Sequence, residues 1–278
     1  MQVRRLSPRF AAEVRGLQLS RLDYQHAEAL WRLLDQFGVL VLRQQRLTPA
    51  GQVAAARVLG PLFDERQFDP IVPWVVDQPG LVQFVNHDRR PPRVNHWHAD
   101  YSFLAQPPAA LMLRAVELPS LGGDTIWCDI AALAKGLEPG VAGSLTDRKA
   151  VHSHLPAFAG SFARHPDPNI GAAFALRHSD TTHPVLMEHP RTDAPLLFVN
   201  ETFTVAIEGE SGSRMLEGLL SQIRGAHDHM FRHRWQPGDV VIWDNLRTQH
   251  YGVADYFPSR RIVHRVAIAR PGGPGEEA

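Results

Sequence analysis

The sequence predicts a mainly β protein with flanking helices, built as a sandwich or jelly roll. Three observations carry this. From about Leu81 onward the chain breaks into short apolar runs: "LVQFV", "ALMLRAVEL", "DTIWCD", "PLLFVN", "DVVIWD" and "RRIVHRVAIA". Pro, Gly, Asn and Asp punctuate these runs, as expected of short strands joined by turns. Clear helical spacing is confined to a few segments, which does not fit the repeated strand–helix units of a parallel sheet.

Taken in order, "RRLSPRFAAEVRGLQL" reads as two short strands around a Pro turn. Residues Tyr24 to Phe37 place Ala27, Leu30, Trp31, Leu34 and Phe37 at helical spacing, and Gly38 follows as a stop. "VLVLR" (39–43) is then a buried strand. "LTPAGQVAAARVLG" forms a second helix, with Thr48 as N-cap, Pro49 at the first position and Gly60 as terminator. A further helix covers Gly212 to Ile223, with Met215, Leu216, Leu219 and Leu220 inward. The stretch 156–180 has no clear period and reads as a long loop or lid. The tail 271–278, "PGGPGEEA", reads as frayed. Neither a strong linker nor an internal repeat interrupts the chain, so 1–278 is expected to be a single domain.

Composition narrows the function. The chain of 278 residues is 44% hydrophobic and 21% charged, with a formal net charge of zero. That balance argues against broad nucleic-acid binding, which needs an excess of Lys and Arg. The single cysteine, Cys128, excludes an intrachain disulfide and suits a reducing compartment. No stretch approaches the roughly 20 apolar residues of a membrane helix. "MQVRRLSPRF" has no apolar run behind its arginines and does not read as a signal peptide. A cytoplasmic protein acting on a small molecule is expected, without a nucleic-acid or membrane partner.

The chemistry concentrates in "NHWHAD" (95–100). In an extended chain His96, His98 and Asp100 point to one side. Residues two apart sit about 6.6 Å apart and residues four apart about 13 Å. One ion can therefore take His96 with His98, or His98 with Asp100, plus a ligand from elsewhere. Ligand chemistry favours the second pair: two imidazoles and one carboxylate on one face leave three open positions, as non-haem Fe(II) oxygenases require. Of fifteen histidines, His250 is the best third ligand, because "DVVIWDNLRTQH" runs from a strong strand through an Asp-Asn turn. Further on, Arg261, Val263 and Arg265 share one face of a strand, and Ile262, His264 and Val266 the other. Alternation leaves open which face is interior. Two arginines near a metal could anchor anions, although spacing alone fits surface ion pairs better.

The blocks "WHAD" (97–100), "GGDTIWCD" (122–129), "HPV" (183–185), "FVNETF" (198–203), "WDNLRTQH" (243–250) and "RRIVHR" (260–265) occur in the order found in one family. Over nearly its whole length, including "GVLVLRQQRLTPAGQ", the chain resembles the taurine dioxygenase/TfdA family of Fe(II)- and 2-oxoglutarate-dependent dioxygenases. The resemblance implies a double-stranded β-helix core, a cupin-like jelly roll. It implies His98, Asp100 and His250 as metal ligands and leaves His96 outside the set. It implies Arg261 for the distal carboxylate of 2-oxoglutarate, Thr125 as its hydroxyl partner and Trp243 as a wall of that pocket. Arg265 matches the arginine that in several members grips an acidic substrate group. Asn95, Phe103 and Phe203 are candidate substrate contacts, with core packing an equal alternative for the two phenylalanines.

The reaction so implied consumes O2 and 2-oxoglutarate, releases succinate and CO2, and hydroxylates a small anionic substrate: a sulfonate, a sulfate ester or a carboxylate. Asp100 favours hydroxylation, since halogenating relatives lack this carboxylate. Desaturation is an alternative outcome within the enzyme class. A metal-dependent hydrolase or binding protein is an alternative outside it, but would not need Thr125, Trp243 and Arg261 together. Family members are often dimers or tetramers. Two departures bear on the substrate. Taurine dioxygenases place a histidine and a tyrosine just after the second helix, where "GPLFDERQFDP" offers Glu65 and Phe68. They also place an asparagine four residues before the first metal histidine, where Val94 stands here beside Asn95. Taurine is therefore not expected as the main substrate.

Overall fold

The computed structural model describes residues 1–72, 75, 78–93 and 95–269. The tail expected to fray and Val94 both lie outside the described residues. The N-terminal part runs β1 (Gln2–Arg5), β2 (Ala12–Arg15), α1 (Tyr24–Phe37), β3 (Val39–Leu42) and α2 (Pro49–Leu59). After β4 (Val82–Asn86), β5 (Ala110–Glu117) and β6 (Thr125–Asp129) come α3 (Ile130–Lys135), α4 (Pro139–Leu145) and β7 (Lys149–His152). Next are α5 (Leu155–Phe162), α6 (Ile170–Arg177), β8 (Thr181–Pro184), β9 (Leu186–Glu188), β10 (Pro195–Leu197) and β11 (Thr204–Ile207). The chain closes with α7 (Gly212–Arg224), β12 (Met230–His233), β13 (Val240–Asp244), β14 (Thr248–Gly252) and β15 (Arg261–Ile268).

Helix boundaries follow local chemistry. Asp23 caps α1 by accepting from His26 N at 2.9 Å, and Gly38 ends it at φ 69°, a conformation that a side chain disfavours. Thr48 caps α2 by accepting from Gly51 N at 3.0 Å, with Pro49 opening the first turn. The two helices are tied by Trp31, whose indole N–H donates to Leu59 O at 2.7 Å.

A seven-stranded sheet, ordered β1-β2-β3-β13-β5-β15-β4, is the main wall of the fold. Its pairs are antiparallel except β2 with β3. One face carries Leu40, Leu42, Met112, Val240, Ile242, Val266 and Ile268 against α1 and α2. The other carries Val39, Val41, Leu111, Val241, Trp243, Val263 and Ala267, packed on Trp127 and Phe231 of a second sheet, β12-β6-β14. Two facing antiparallel sheets with helices outside form the jelly roll. The alternation also settles which side of β15 is interior. Val263 and Ala267 face the second sheet, so Arg261 and Arg265 do too.

The stretch 156–180 departs from expectation: it holds nearly all of α5, a turn and α6, and is not a long loop. Its anchors are aromatic and irregularly spaced. Phe158, Phe162 and Phe174 pack edge-on or tilted against one another with ring centroids 5.4–6.3 Å apart. Tertiary packing thus stabilises helices whose own sequence, with Gly160 and Gly171 inside them, is weakly helical.

Gln52 joins α2 to the sheet behind the site. It is fully buried, and its amide donates to Met112 O at 3.2 Å and His264 O at 3.0 Å while accepting from Arg114 Nε at 3.0 Å. Replacing it with Ala removes its hydrogen bonds to two carbonyls and to the Arg114 guanidinium. Gln52→Ala should lower unfolding free energy by about 1–3 kcal/mol in a denaturant titration.

Candidate metal centre and adjoining pocket

The metal motif is set by backbone pairing before any side chain is considered. His98 N donates to His250 O at 3.1 Å, and His250 N donates to His98 O at 2.8 Å. The partner strand, β14, is held from its other side by β6, where His250 lies opposite Trp127. Asp244 closes the turn before β14, its Oδ1 accepting from Leu246 N at 3.0 Å and Arg247 N at 2.9 Å. Asn245 brackets the next residue of the motif: its Oδ1 accepts from Asp100 N at 2.9 Å, and its Nδ2 donates to Asp100 O at 2.9 Å and Pro108 O at 3.0 Å. Tyr101 follows at φ 57°, a strained conformation for a bulky residue of the kind that accumulates at functional sites.

This scaffold brings one ligand atom from each of His98, Asp100 and His250 within 4.8 Å of one another. The two imidazole centroids are 4.0 Å apart. His98 Nδ1 lies 2.7 Å from His96 O. A carbonyl can only accept, so Nδ1 carries the proton and Nε2 presents a lone pair. Burial keeps both rings neutral: it lowers the His98 pKa, and with His98 nearby it pushes His250 down to about 3. Burial works against charge on Asp100, but Arg265, then His250 and His98, outweigh it and leave the carboxyl below its usual range. Asp100 Oδ1 accepts from Arg265 Nη1 at 2.7 Å. Its Oδ2 is buried without a partner among the described residues, 3.8 Å from His250 Nε2. Two neutral imidazoles and an orphaned carboxylate oxygen are a donor set suited to a divalent first-row ion. The side chain of His96 is exposed, and only its carbonyl serves the centre.

The neighbouring pocket contains a buried charge in search of a counter-ion. Arg261 is 6% exposed, and among the described residues no carboxylate lies within ion-pair distance of it. Burial lowers its pKa, the Tyr256 phenol alongside opposing. Thr125 is buried at the start of β6. Its hydroxyl oxygen accepts from Trp235 Nε1 at 3.0 Å, which leaves the O–H to donate. Gly122 and Gly123, at φ 78° and 74°, bring this strand against the arginine. A Cβ on Gly123 would sit 3.2 Å from Arg261 Cδ and Nε, and one on Gly122 only 2.5 Å from Asp255 Oδ1. Trp243 is 1% exposed, its ring 5.0 Å from that of His250 and its indole nitrogen without a partner among the described residues.

The residues expected to contact substrate are placed unequally. Phe103 and Phe203 pack 5.3 Å apart in an aromatic cluster with Phe68, Tyr101, Phe158 and Phe174. Both are almost fully buried, so packing accounts for them as they stand. Asn95 is half-buried beside the motif. Arg265 reaches the centre, yet both of its Nη nitrogens are taken: Nη1 by Asp100, and Nη2 by Glu65 and by the Tyr101 oxygen at 2.6 Å. Burial alone would lower the Arg265 pKa, but Asp100, Glu65 and Tyr101 outweigh it and raise it.

Comparison with known proteins decides what this constellation belongs to. Residues 2–267 match the model of the taurine catabolism dioxygenase TauD, TfdA family. The chain belongs to this family. Among TauD/TfdA relatives, an alpha-ketoglutarate-dependent sulfate ester dioxygenase of Pseudomonas putida is 35% identical, covering 97% of this chain and 89% of its own. An alkylsulfatase of Acinetobacter baylyi is 31% identical, with 97% and 85% covered. The crystal structure of a taurine dioxygenase from Burkholderia xenovorans superposes with a TM-score of 0.79 at 26% identity, covering 96% of this chain and 89% of that one. The core is accordingly the TauD-type jelly roll, the double-stranded β-helix.

Two contributors to the centre were not found by reading the sequence. Asn245 was visible only as half of an Asp-Asn turn, and nothing local marks it as the clamp on Asp100. Tyr101 follows the motif directly, but its phenol acts through Glu65, 36 residues away. Asn245→Ala should free the Asp100 backbone and weaken Fe(II) binding by about 10- to 100-fold. Anaerobic metal titration of the folded variant checks this.

Proposed function

We propose that His98, Asp100 and His250 hold Fe(II), that Arg261 and Thr125 hold the distal carboxylate of 2-oxoglutarate, and that the enzyme hydroxylates a small organic substrate bearing an acidic group. The observation that carries this reading is the buried guanidinium of Arg261, without a carboxylate partner among the described residues, beside a neutral two-histidine, one-carboxylate centre. Fe(II) with 2-oxoglutarate and O2 supplies oxidative decarboxylation to succinate and CO2, coupled to hydroxylation of a C–H bond. We read the whole chain as one such domain.

The residues have distinct tasks. His98 offers Nε2, fixed by the Nδ1 hydrogen bond to the His96 carbonyl. Asp100 offers Oδ2 while Arg265 holds Oδ1, so the carboxylate keeps one orientation. Arg261 supplies the charge and Thr125 the hydroxyl for a carboxylate, with Trp243 walling the space next to His250. This carboxylate site also favours the dioxygenase over a hydrolase on the same fold, which has no use for a second buried guanidinium. Sulfate esters, sulfonates and carboxylates are the substrate class supported by the relatives, which include a sulfate ester dioxygenase. Glu65 and Phe68, in place of a histidine and a tyrosine, set taurine apart from the favoured members of that class.

Succinate release from alkyl sulfates, alkyl sulfonates, aryloxyalkanoates and taurine tests the reading. Turnover should require Fe(II) and 2-oxoglutarate, with taurine among the poor substrates. Taurine-dominant turnover, or none with any acid, would overturn it. His98→Ala and Asp100→Ala should abolish release, whereas Arg261→Ala should raise the KM for 2-oxoglutarate at least tenfold and shift the KM for substrate far less.

A further inference from the structure

Position 65 changes the character of the substrate end of this site. Phe63 N donates to Ala267 O at 3.0 Å, and Leu62 bridges Ile268, so the chain entering the turn Glu65–Phe68 is stitched to the end of β15. That seam places Glu65 beside Arg265, 200 residues away in sequence. Glu65 is 1% exposed. Its Oε1 accepts from Arg265 Nη2 and from the Tyr101 hydroxyl, and Tyr101 in turn accepts from Arg265 Nη2. The arginine is also wedged between the rings of Phe84 and Tyr101, its Cζ 5.0 and 5.1 Å from their centroids. One guanidinium therefore faces two carboxylates, Asp100 and Glu65, with aromatic rings alongside and no Nη nitrogen free. Its Nε is buried and without a partner among the described residues, and an acidic substrate group can take the Nη2 edge only by displacing Glu65.

We propose that Glu65 is a specificity-determining residue that withdraws Arg265 from the substrate, so that an acidic group is not bound at this arginine. The substrate end that meets the Arg265–Glu65 pair is uncharged or carries a hydrogen-bond donor, such as a hydroxyl or an ammonium group. Glu65 Oε2, buried without a partner among the described residues, is the acceptor for such a donor. Within the organic acids this selects molecules whose acidic group is separated from the oxidised carbon, over those with sulfonate or sulfate on the adjacent atom. Arg265 itself becomes a positioning residue for Asp100. This rests on the proposed function and refines which part of the substrate approaches the metal.

Equilibrium binding to the anaerobic Fe(II)–2-oxoglutarate protein tests it, with hexyl sulfate and 1-hexanol as probes. Wild type should bind hexanol at least as tightly as hexyl sulfate. Glu65→Gln and Glu65→His, the latter restoring the residue type of taurine dioxygenases, should raise the affinity for hexyl sulfate relative to hexanol at least tenfold. Two variants guard against a folding defect in one, and 2-oxoglutarate affinity on each confirms an intact centre. An unchanged or weakened preference for the sulfate in both variants overturns the proposal. Its failure is distinct from that of the proposed function: the first leaves succinate release intact with unaltered selectivity, the second leaves no Fe(II)-dependent release at all.

Discussion

The two main-chain hydrogen bonds exchanged by His98 and His250 are the constraint on which the site depends. They join the segment carrying Asp100 to the edge of the second sheet, so that two imidazoles from distant parts of the chain face each other. Every other feature elaborates this pairing. Asn245 fixes the peptide of Asp100 and Arg265 fixes its carboxylate. The turn at Tyr101 then directs the chain away from the centre. Because the sheet supplies the geometry, the side chains need only present lone pairs, and burial keeps the imidazoles neutral to do so.

Charge is arranged around the centre in layers that must be considered together. Arg265 has two carboxylate partners and Arg261 none among the described residues. The two lie four residues apart on the same face of β15, about 13 Å at Cα. One guanidinium is spent on internal order, and the other is the one proposed to receive 2-oxoglutarate. A buried charge without a carboxylate partner is costly, and the carboxylate proposed to bind at Arg261 would relieve that cost. Gly123 lets the backbone approach that arginine where a side chain would press on it, and Gly122 does the same beside Asp255.

Much of this was legible in the sequence. The spacing of "HAD" allowed His98 and Asp100 to share an ion, and the strand-turn pattern of "DVVIWDNLRTQH" pointed to His250. Local signals placed the end of α1 at Gly38 and both ends of α2 at Thr48 and Gly60, whereas the Asp23 cap of α1 was not read. The unread parts are those governed by contacts between distant residues. Neither face of "RRIVHRV" is polar enough to reveal the interior, and only packing of Val263 and Ala267 against Trp127 decides it. Helices α5 and α6 owe their form to aromatic contacts across a turn, invisible to a search for periodicity. The pairing of Glu65 with Arg265 spans 200 residues, and no spacing rule reaches that far.

Placement of both histidine ligands by paired backbone has a bearing on how the protein meets its metal. The backbone bonds exchanged by His98 and His250 use none of the ring nitrogens, so the ligand atoms are left to face one another while the main chain sets their spacing. A rigid cage of two nitrogens and one oxygen also discriminates poorly among first-row divalent cations, whose intrinsic affinities rise from manganese to copper. Which ion such a set takes therefore depends on the supply of ions where the protein is made as well as on the shape of the cage.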